Sequence, residues 1–415
     1  MRATVLTIGD ELLIGQIADT NASWIGQRLT AMGIRPVRLE TVGDEADRMK
    51  EAFARALQAG RVTIVTGGLG PTHDDLTREV MASFFGVALQ EDPAILEGMR
   101  VRFARRNMDM PTSNRVQAMV PEGFEAIPNT AGTAPALVGR YEHADGEGLL
   151  ALLPGVPYEM QTFMQEDILP RVASLTGAVD VRQKTLLTVG VSESALADRL
   201  EGVTSLLGPE AGLAYLPNLR GVRLRLTTLG AGAEDRLAGL ETYIRERAGK
   251  WIYGEGDDTL EAAVGRMLEE RGLTVATAES CTGGMVAHRL TDIPGSSEWV
   301  VGGVVAYSNA VKEAHLGVAN DTLRAFGAVS RQTACEMASG VRLRLGADIG
   351  ISTTGIMGPG GGSEEKPVGT FWMGISSERR TVALSLALGT ERIRNKERAS
   401  TAVLDLLRRE LQEWV

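Results

Sequence analysis

Residues 62–77 read Val62-Thr63-Ile64-Val65-Thr66-Gly67-Gly68-Leu69-Gly70-Pro71-Thr72-His73-Asp74-Asp75-Leu76-Thr77. A β-branched apolar run enters a glycine-rich turn, meets two carboxylates and opens into a helical pattern over 76–85. A strand feeding a helix in this way is half of a parallel crossover unit. Upstream, strand-like runs at 3–8 and 36–41 alternate with helical patterns at 20–32 and 47–57, which extends the same α/β organisation through residue 169. Open sheets of this kind bind ligands at the carboxyl ends of their strands. Three polar or glycine-rich turns, Gly9-Asp10-Glu11, Gly67–Gly70 and Pro154-Gly155-Val156-Pro157, are therefore expected on one edge.

The chain has 415 residues, enough for two or three domains. A net charge of −10 argues against a protein whose main task is coating nucleic acid or an anionic membrane. Two cysteines are too few for a disulfide framework or a zinc site, so a reducing, cytoplasmic setting is expected. The start of the chain lacks the apolar region of a signal peptide, and no apolar stretch is long enough to span a bilayer. Between about Val179 and Lys250 the pattern becomes strand, helix, two β-rich runs and helix. Its ten basic and nine acidic side chains leave no basic footprint. A small α+β linker or dimerisation unit fits better than a nucleic-acid binder.

A third α/β region follows. Thr277-Ala278-Glu279-Ser280-Cys281-Thr282-Gly283-Gly284 places a serine between a buried strand and a helix that opens on small residues. Free amides at such a helix start can hold an oxyanion or phosphate, although Ser280 or Thr282 as a simple helix cap explains the same string. Tyr307-Ser308-Asn309-Ala310-Val311-Lys312 adds a lysine that, once desolvated, can take a serine's proton. Thr354-Gly355 leads into Gly358-Pro359-Gly360-Gly361-Gly362, where backbone can approach a phosphate closely. Cys281 is read as a small buried neighbour.

These strings, with D-I-P-G-S-S from Asp292 and K-P-V-G from Lys366, resemble the amidohydrolase domain of the competence/damage-inducible CinA family. The resemblance implies hydrolysis of the carboxamide of nicotinamide mononucleotide to nicotinate mononucleotide and ammonia, without a cofactor. Ser280 would be the nucleophile, Lys312 its base, and Tyr307 and Thr354 further catalytic groups. Thr282, Gly283, Gly284, Gly360, Gly361 and Arg392 would bind substrate. Arg394 and Arg398 lie close enough in sequence to Arg392 to leave its register open.

In the first region, I-G-D-E-L-L from Ile8, D-T-N from Asp19, G-G-L-G-P-T-H-D-D from Gly67, N-T-A-G-T-A-P from Asn129 and L-P-G-V-P-Y-E-M from Leu153 are similar to the CinA N-terminal domain. That domain has a molybdopterin-binding-like fold. Ala136 stands where the family usually has glycine and is expected to narrow the pocket. The resemblance implies metal-dependent hydrolysis of ADP-ribose to AMP and ribose 5-phosphate. Gly67, Gly68, Gly70, Thr72 and Gly155 would bind substrate, and Asp10, Glu11, Asp74 and Asp75 would serve a magnesium, manganese or cobalt ion. His73 is a surface residue on this reading.

The expected architecture is α/β throughout. A molybdopterin-binding-like parallel or mixed sheet spans 1–172, a small α+β domain 173–254 and an amidohydrolase domain 255–415. A homodimer is the family-based expectation, with no membrane and no strong nucleic-acid partner. Two readings from other classes are a pterin-binding cofactor-biosynthesis protein and a non-catalytic competence or DNA-damage partner.

Overall fold

The computed structural model describes residues 1–176 and 180–414. The expected start of the middle pattern at Val179 and the final residue, Val415, lie outside the described residues. The chain forms two compact units: 1–182 with 229–233, and 183–228 with 234–415. Among the described residues, no helix is long and apolar enough to cross a membrane.

The first unit is built on a six-stranded mixed sheet, in the order Arg35–Val42, Arg2–Ile8, Val62–Thr66, Gly146–Leu153, Ala136–His143, Glu125–Ile127. The first four strands are parallel. The last two add an antiparallel edge through a hairpin that alternation alone did not single out. Strand Gly146–Leu153 is buried continuously over Gly148–Leu153 because helices cover both faces. Val5, Ile64 and Ala151 pack against Ile25 and Leu29 of helix Thr20–Ala31. Leu6, Val65 and Leu152 face Met49 and Phe53 of Ala46–Ala59, with Met81 of Thr77–Phe85.

The second unit contains a four-stranded sheet, Ala211–Asn218, Gly221–Leu229, Val181–Thr188, Ile252–Glu255, packed on helix Ala233–Ala248. It also contains a five-stranded sheet in the order Val300–Val305, Val275–Glu279, Ile349–Gly355, Thr370–Ser376, Thr381–Ala387. Its first three strands are parallel and the remainder antiparallel. The chain leaves strand Val275–Glu279 for a neighbour on one side and then for one on the other. This reversal of order opens a crevice at that strand's carboxyl end. The strand runs two residues later than its apolar pattern over 273–277 suggests, and so delivers Glu279 and Ser280 to the sheet edge. The last helix, Arg392–Gln412, buries Val403, Leu404, Leu407 and Leu411 against this sheet.

Candidate functional sites

In the first unit, the strand ends at Ile8, Val42, Thr66 and Leu153 lie within one residue of register. The turns after Ile8, Thr66 and Leu153 line a cavity of about 500 Å³. Of the residues expected there, Glu11, Gly67, Gly68, Gly70, Asp75 and Gly155 line it. Asp19, Asn21 and Glu159 also line it and carry no role in the sequence reading. Ala136 does not reach the lining: it is fully buried at the start of its strand, so the expected narrowing does not occur.

The four expected metal carboxylates are not gathered into one set. Asp75 is consumed by its own turn, accepting the Gly70 amide at 2.7 Å, the Thr72 amide at 2.9 Å and the Thr72 hydroxyl. Thr72 is thereby a strut of the turn and not part of the cavity wall. Asp10 exchanges backbone-to-carboxylate hydrogen bonds with Asp44, at 3.0 and 3.3 Å. Asp74 is open to solvent beside an exposed His73. Among the described residues, no three His, Cys, Asp or Glu side chains converge as a metal cage. Burial pushes the Asp44 carboxyl up, and the charges of Asp10, Glu11 and Asp74 add to the shift. This electronegative rim, with Glu11 on the cavity wall, suits a hydrated divalent ion held by one or two carboxylates and by ligand phosphates. Sequence reading missed Asp44, although it directly follows a parallel strand.

In the second unit, Ser280, Tyr307, Thr354 and the Gly358–Gly362 turn all follow or end strands at one edge of the five-stranded sheet. Glu279 pairs with Val305 on one side and Thr353 on the other. Lys312 lies in the first turn of helix Asn309–Leu316, whose N-cap Ser308 accepts the Val311 amide at 3.3 Å. Its side chain turns back into the protein, 1% exposed, and Nζ donates to the Ala306 carbonyl at 2.9 Å and the Tyr307 carbonyl at 3.5 Å. The Ala306 amide in turn donates to the Glu279 carbonyl at 2.7 Å, so the residue that holds the lysine is also bonded to the peptide group preceding Ser280. Burial pushes the Lys312 pKa down, and the nearby Cys281 only partly opposes this. No carboxylate forms an ion pair with it among the described residues.

The expected Ser280–Lys312 hydrogen bond is not made. The Ser280 backbone amide donates to the Thr353 carbonyl at 2.9 Å, while its hydroxyl has no partner within the described protein. Two carbonyls hold Nζ in place, and burial favours its neutral form. Catalytic contacts are often loose without substrate and tighten on binding.

The helix-start amides are also differently committed than expected. Glu279, 1% exposed, accepts the amides of Gly284 at 2.9 Å, Val286 at 3.1 Å and Ala287 at 2.8 Å, and the Thr282 hydroxyl at 2.6 Å. Thr282 is fully buried and also bonds Thr353 at 2.7 Å. Neither Gly284's amide nor Thr282's hydroxyl is therefore available to a substrate. The amides of Thr282 and Gly283 have no hydrogen-bond partner among the described residues, and Gly283 is exposed in a left-handed turn, φ 64°. The buried Thr354 hydroxyl donates to the Ala328 carbonyl at 2.7 Å, which leaves it only as an acceptor.

The expected arginines differ in what they touch, and Arg392 faces the glycine turn. Its guanidinium donates to the Gly358 carbonyl at 3.2 Å and the exposed Tyr307 hydroxyl at 2.8 Å, which ties the glycine turn to the Tyr307 loop. Arg394 instead pairs with Glu391 in solvent. In the same turn, the amides of Gly360 and Gly361 have no hydrogen-bond partner among the described residues. Lys396, unnoticed in the sequence, brings Nζ within 3.6 Å of where a Cβ on Gly283 would lie.

Glu279→Gln is expected to destabilise the protein by about 2–4 kcal/mol, because an amide presents donors where several backbone N–H groups need an acceptor. Thermal unfolding with unchanged stability would show that this carboxylate is dispensable.

Three family models cover most of the chain: a "probable molybdopterin binding domain" over residues 4–174, the damage-inducible protein CinA KH domain over 183–254 and the CinA C-terminal domain over 257–411. A CinA-like protein of Salinibacter ruber is 47% identical, covering 99% of this chain and 100% of its own length. One from Chloroherpeton thalassium is 42% identical over 98% and 99%. The crystal structure of competence/damage inducible protein CihA from Agrobacterium tumefaciens is 41% identical, covering 37% of this chain and 93% of its own, with a TM-score of 0.36. Folds and motifs thus define a multidomain mixed α/β protein with a molybdopterin-binding-like first domain. The chain belongs to the CinA family.

Proposed function

We propose that the second unit hydrolyses the carboxamide of nicotinamide mononucleotide. The observation that carries this reading is Lys312: a buried amine with no carboxylate partner, fixed by two carbonyls at the base of the Ser280 turn. Neutral Nζ takes the Ser280 proton as Oγ attacks the carboxamide carbon, and the protonated lysine then gives that proton to the departing ammonia. Water, deprotonated by the same amine, cleaves the resulting ester and regenerates the serine. Thr282 and Gly283 supply the amides left to stabilise the oxyanion. Arg392 and the free Gly360 and Gly361 amides supply donors for the phosphate. The test is ammonia release from nicotinamide mononucleotide by the full-length protein; no release overturns the reading.

The first unit, on the same proposal, hydrolyses the diphosphate of ADP-ribose. Glu11, with Asp10, Asp44 and Asp74 close by, would hold a divalent ion, which supplies charge neutralisation on the diphosphate and an activated water when bound. Asp75 and Asp19 shape the cavity: Asp19 caps helix Thr20–Ala31 at the Ala22 amide, 2.8 Å, and holds the Thr7 hydroxyl at 2.8 Å. A chelator is expected to abolish AMP formation from ADP-ribose while leaving ammonia release unchanged. AMP formation that survives chelation removes the metal from the scheme. Tight pterin binding without ADP-ribose turnover would replace this half of the proposal.

A further inference from the structure

The turn that floors the first cavity is held from behind by two residues the functional reading does not use. The Thr77 hydroxyl donates to the Gly67 carbonyl at 2.8 Å, and its amide donates to the Gly68 carbonyl at 3.1 Å. The Arg78 guanidinium donates to the Leu69 carbonyl at 2.8 Å and the Gly70 carbonyl at 2.9 Å. Four consecutive carbonyls are thus drawn to one side by Thr77 and Arg78. In a planar trans peptide, each N–H points opposite to the carbonyl of the residue before it. The amides of residues 68–70 therefore leave from the other side, and position 71 is proline with none to offer. Asp75 takes the Gly70 amide, so Gly68 and Leu69 keep two adjacent amides with no partner among the described residues. Both residues line the cavity. Gly68 has φ 66°, and a Cβ there would lie 2.2 Å from the Thr77 Oγ1, so the turn tolerates only glycine at this point.

Two further observations point to a ligand. Arg78 is fully buried, its Nε has no partner, and no carboxylate forms an ion pair with it among the described residues. Burial pushes its pKa down against the more distant charges of Glu79 and Asp75, yet a guanidinium does not lose its proton in a protein. A fixed positive charge therefore sits beneath the turn, where an anion in the cavity would offset it. Asn21, 8% exposed on the cavity wall, uses its Nδ2 on the Thr66 hydroxyl at 3.2 Å and the Gly155 carbonyl at 2.8 Å, while its buried Oδ1 accepts nothing. That oxygen calls for a donor such as a hydroxyl.

We propose that Thr77 and Arg78 are the positioning residues of a phosphate cradle: they aim the Gly68 and Leu69 amides at the anion of a sugar phosphate or diphosphate whose hydroxyl reaches Asn21. This rests on the reading of the first cavity as a diphosphate site and assigns the residues that hold the anion there.

Calorimetric titration of the full-length protein with inorganic pyrophosphate, in chelator so that no metal contributes, tests it. Arg78→Gln is expected to weaken pyrophosphate binding about tenfold or more, with Arg78→Lys recovering part of the loss. Thr77→Val, nearly the same shape and thus safe for the fold, is expected to weaken it about threefold to tenfold. Asn21→Ala should weaken ADP-ribose and leave pyrophosphate unchanged, a split that a general packing defect would not produce. A folded Arg78→Gln or Thr77→Val protein that binds pyrophosphate like the wild type overturns the cradle, as does a wild type that does not bind it. Hydrolysis of ADP-ribose with unaltered KM in Thr77→Val would sink the cradle and spare the hydrolytic proposal. Pyrophosphate binding that is lost in the variants, in a protein that never cleaves ADP-ribose, would support the cradle and sink the hydrolysis.

Discussion

Ser280→Ala is expected to lower ammonia release from nicotinamide mononucleotide by about 10³-fold or more, equivalent to about 4 kcal/mol of transition-state stabilisation. Binding of the nucleotide should change little, because the hydroxyl forms its bond to the carboxamide only during reaction. The adjacent Cys281 cannot take over. It is buried, and burial pushes its thiol up to about 12, so the nucleophilic thiolate is scarce at neutral pH. Nor does the substitution strip a hydrogen bond from the fold, since the Ser280 hydroxyl holds no protein group and the turn is anchored by its backbone amide and by Glu279. A folded Ser280→Ala protein with near-normal release would therefore identify a different nucleophile.

The strand-to-turn junctions carry most of what is legible in the sequence. Gly67–Gly70, Gly155, Ser280, Tyr307 and the Gly358–Gly362 turn all reach the sheet edges where parallel strands end, because a strand's apolar run and the glycine after it are local signals. What escaped depends on how the chain folds back. Glu279 stands beside Ser280 in sequence, but its work as the acceptor for a helix start exists only once that helix curls over the strand end. Thr77 and Arg78 read as the opening of an ordinary helix, and only the tertiary course of the turn puts four carbonyls on them. Asp75 was visible as a carboxylate but not as a staple, since its partners are amides of its own turn. Arg392 was separable from Arg394 only by the Tyr307 hydroxyl it meets across the sheet edge.

The two units share one device. Each buries a basic side chain behind a loop and holds it with backbone carbonyls, Lys312 on Ala306 and Tyr307, Arg78 on Leu69 and Gly70. The difference lies in the proton. Lysine can shed it when desolvated and become a base, whereas arginine keeps it and remains a fixed charge. Lys312→Arg should therefore remove the base outright, whereas Arg78→Lys, whose buried amine can lose its proton, should keep only part of the charge beneath the turn.

Lys312→Met is expected to abolish amide hydrolysis to a similar degree, about 10³-fold or more, and to change the pH dependence of stability in a defined direction. Below the Lys312 pKa the wild-type rate should fall about tenfold per pH unit as the base protonates, with the limb levelling below the ordinary lysine value. For stability, the folded state holds this amine with a pKa below the 10.5 of an exposed lysine. Between the two values the unfolded chain binds more protons, so the wild type gains stability as pH rises through that window. Below the lowered value the full penalty of a buried charge is present, and above about 10.5 it is gone. Methionine fills similar space without titrating, so Tm measured across this window should lose the rising component. The two carbonyls left without a donor shift Tm by an amount that does not depend on pH. A Lys312→Met protein that keeps both its amidase activity and the wild-type slope of Tm against pH would mean that this lysine neither serves as the base nor carries a buried charge.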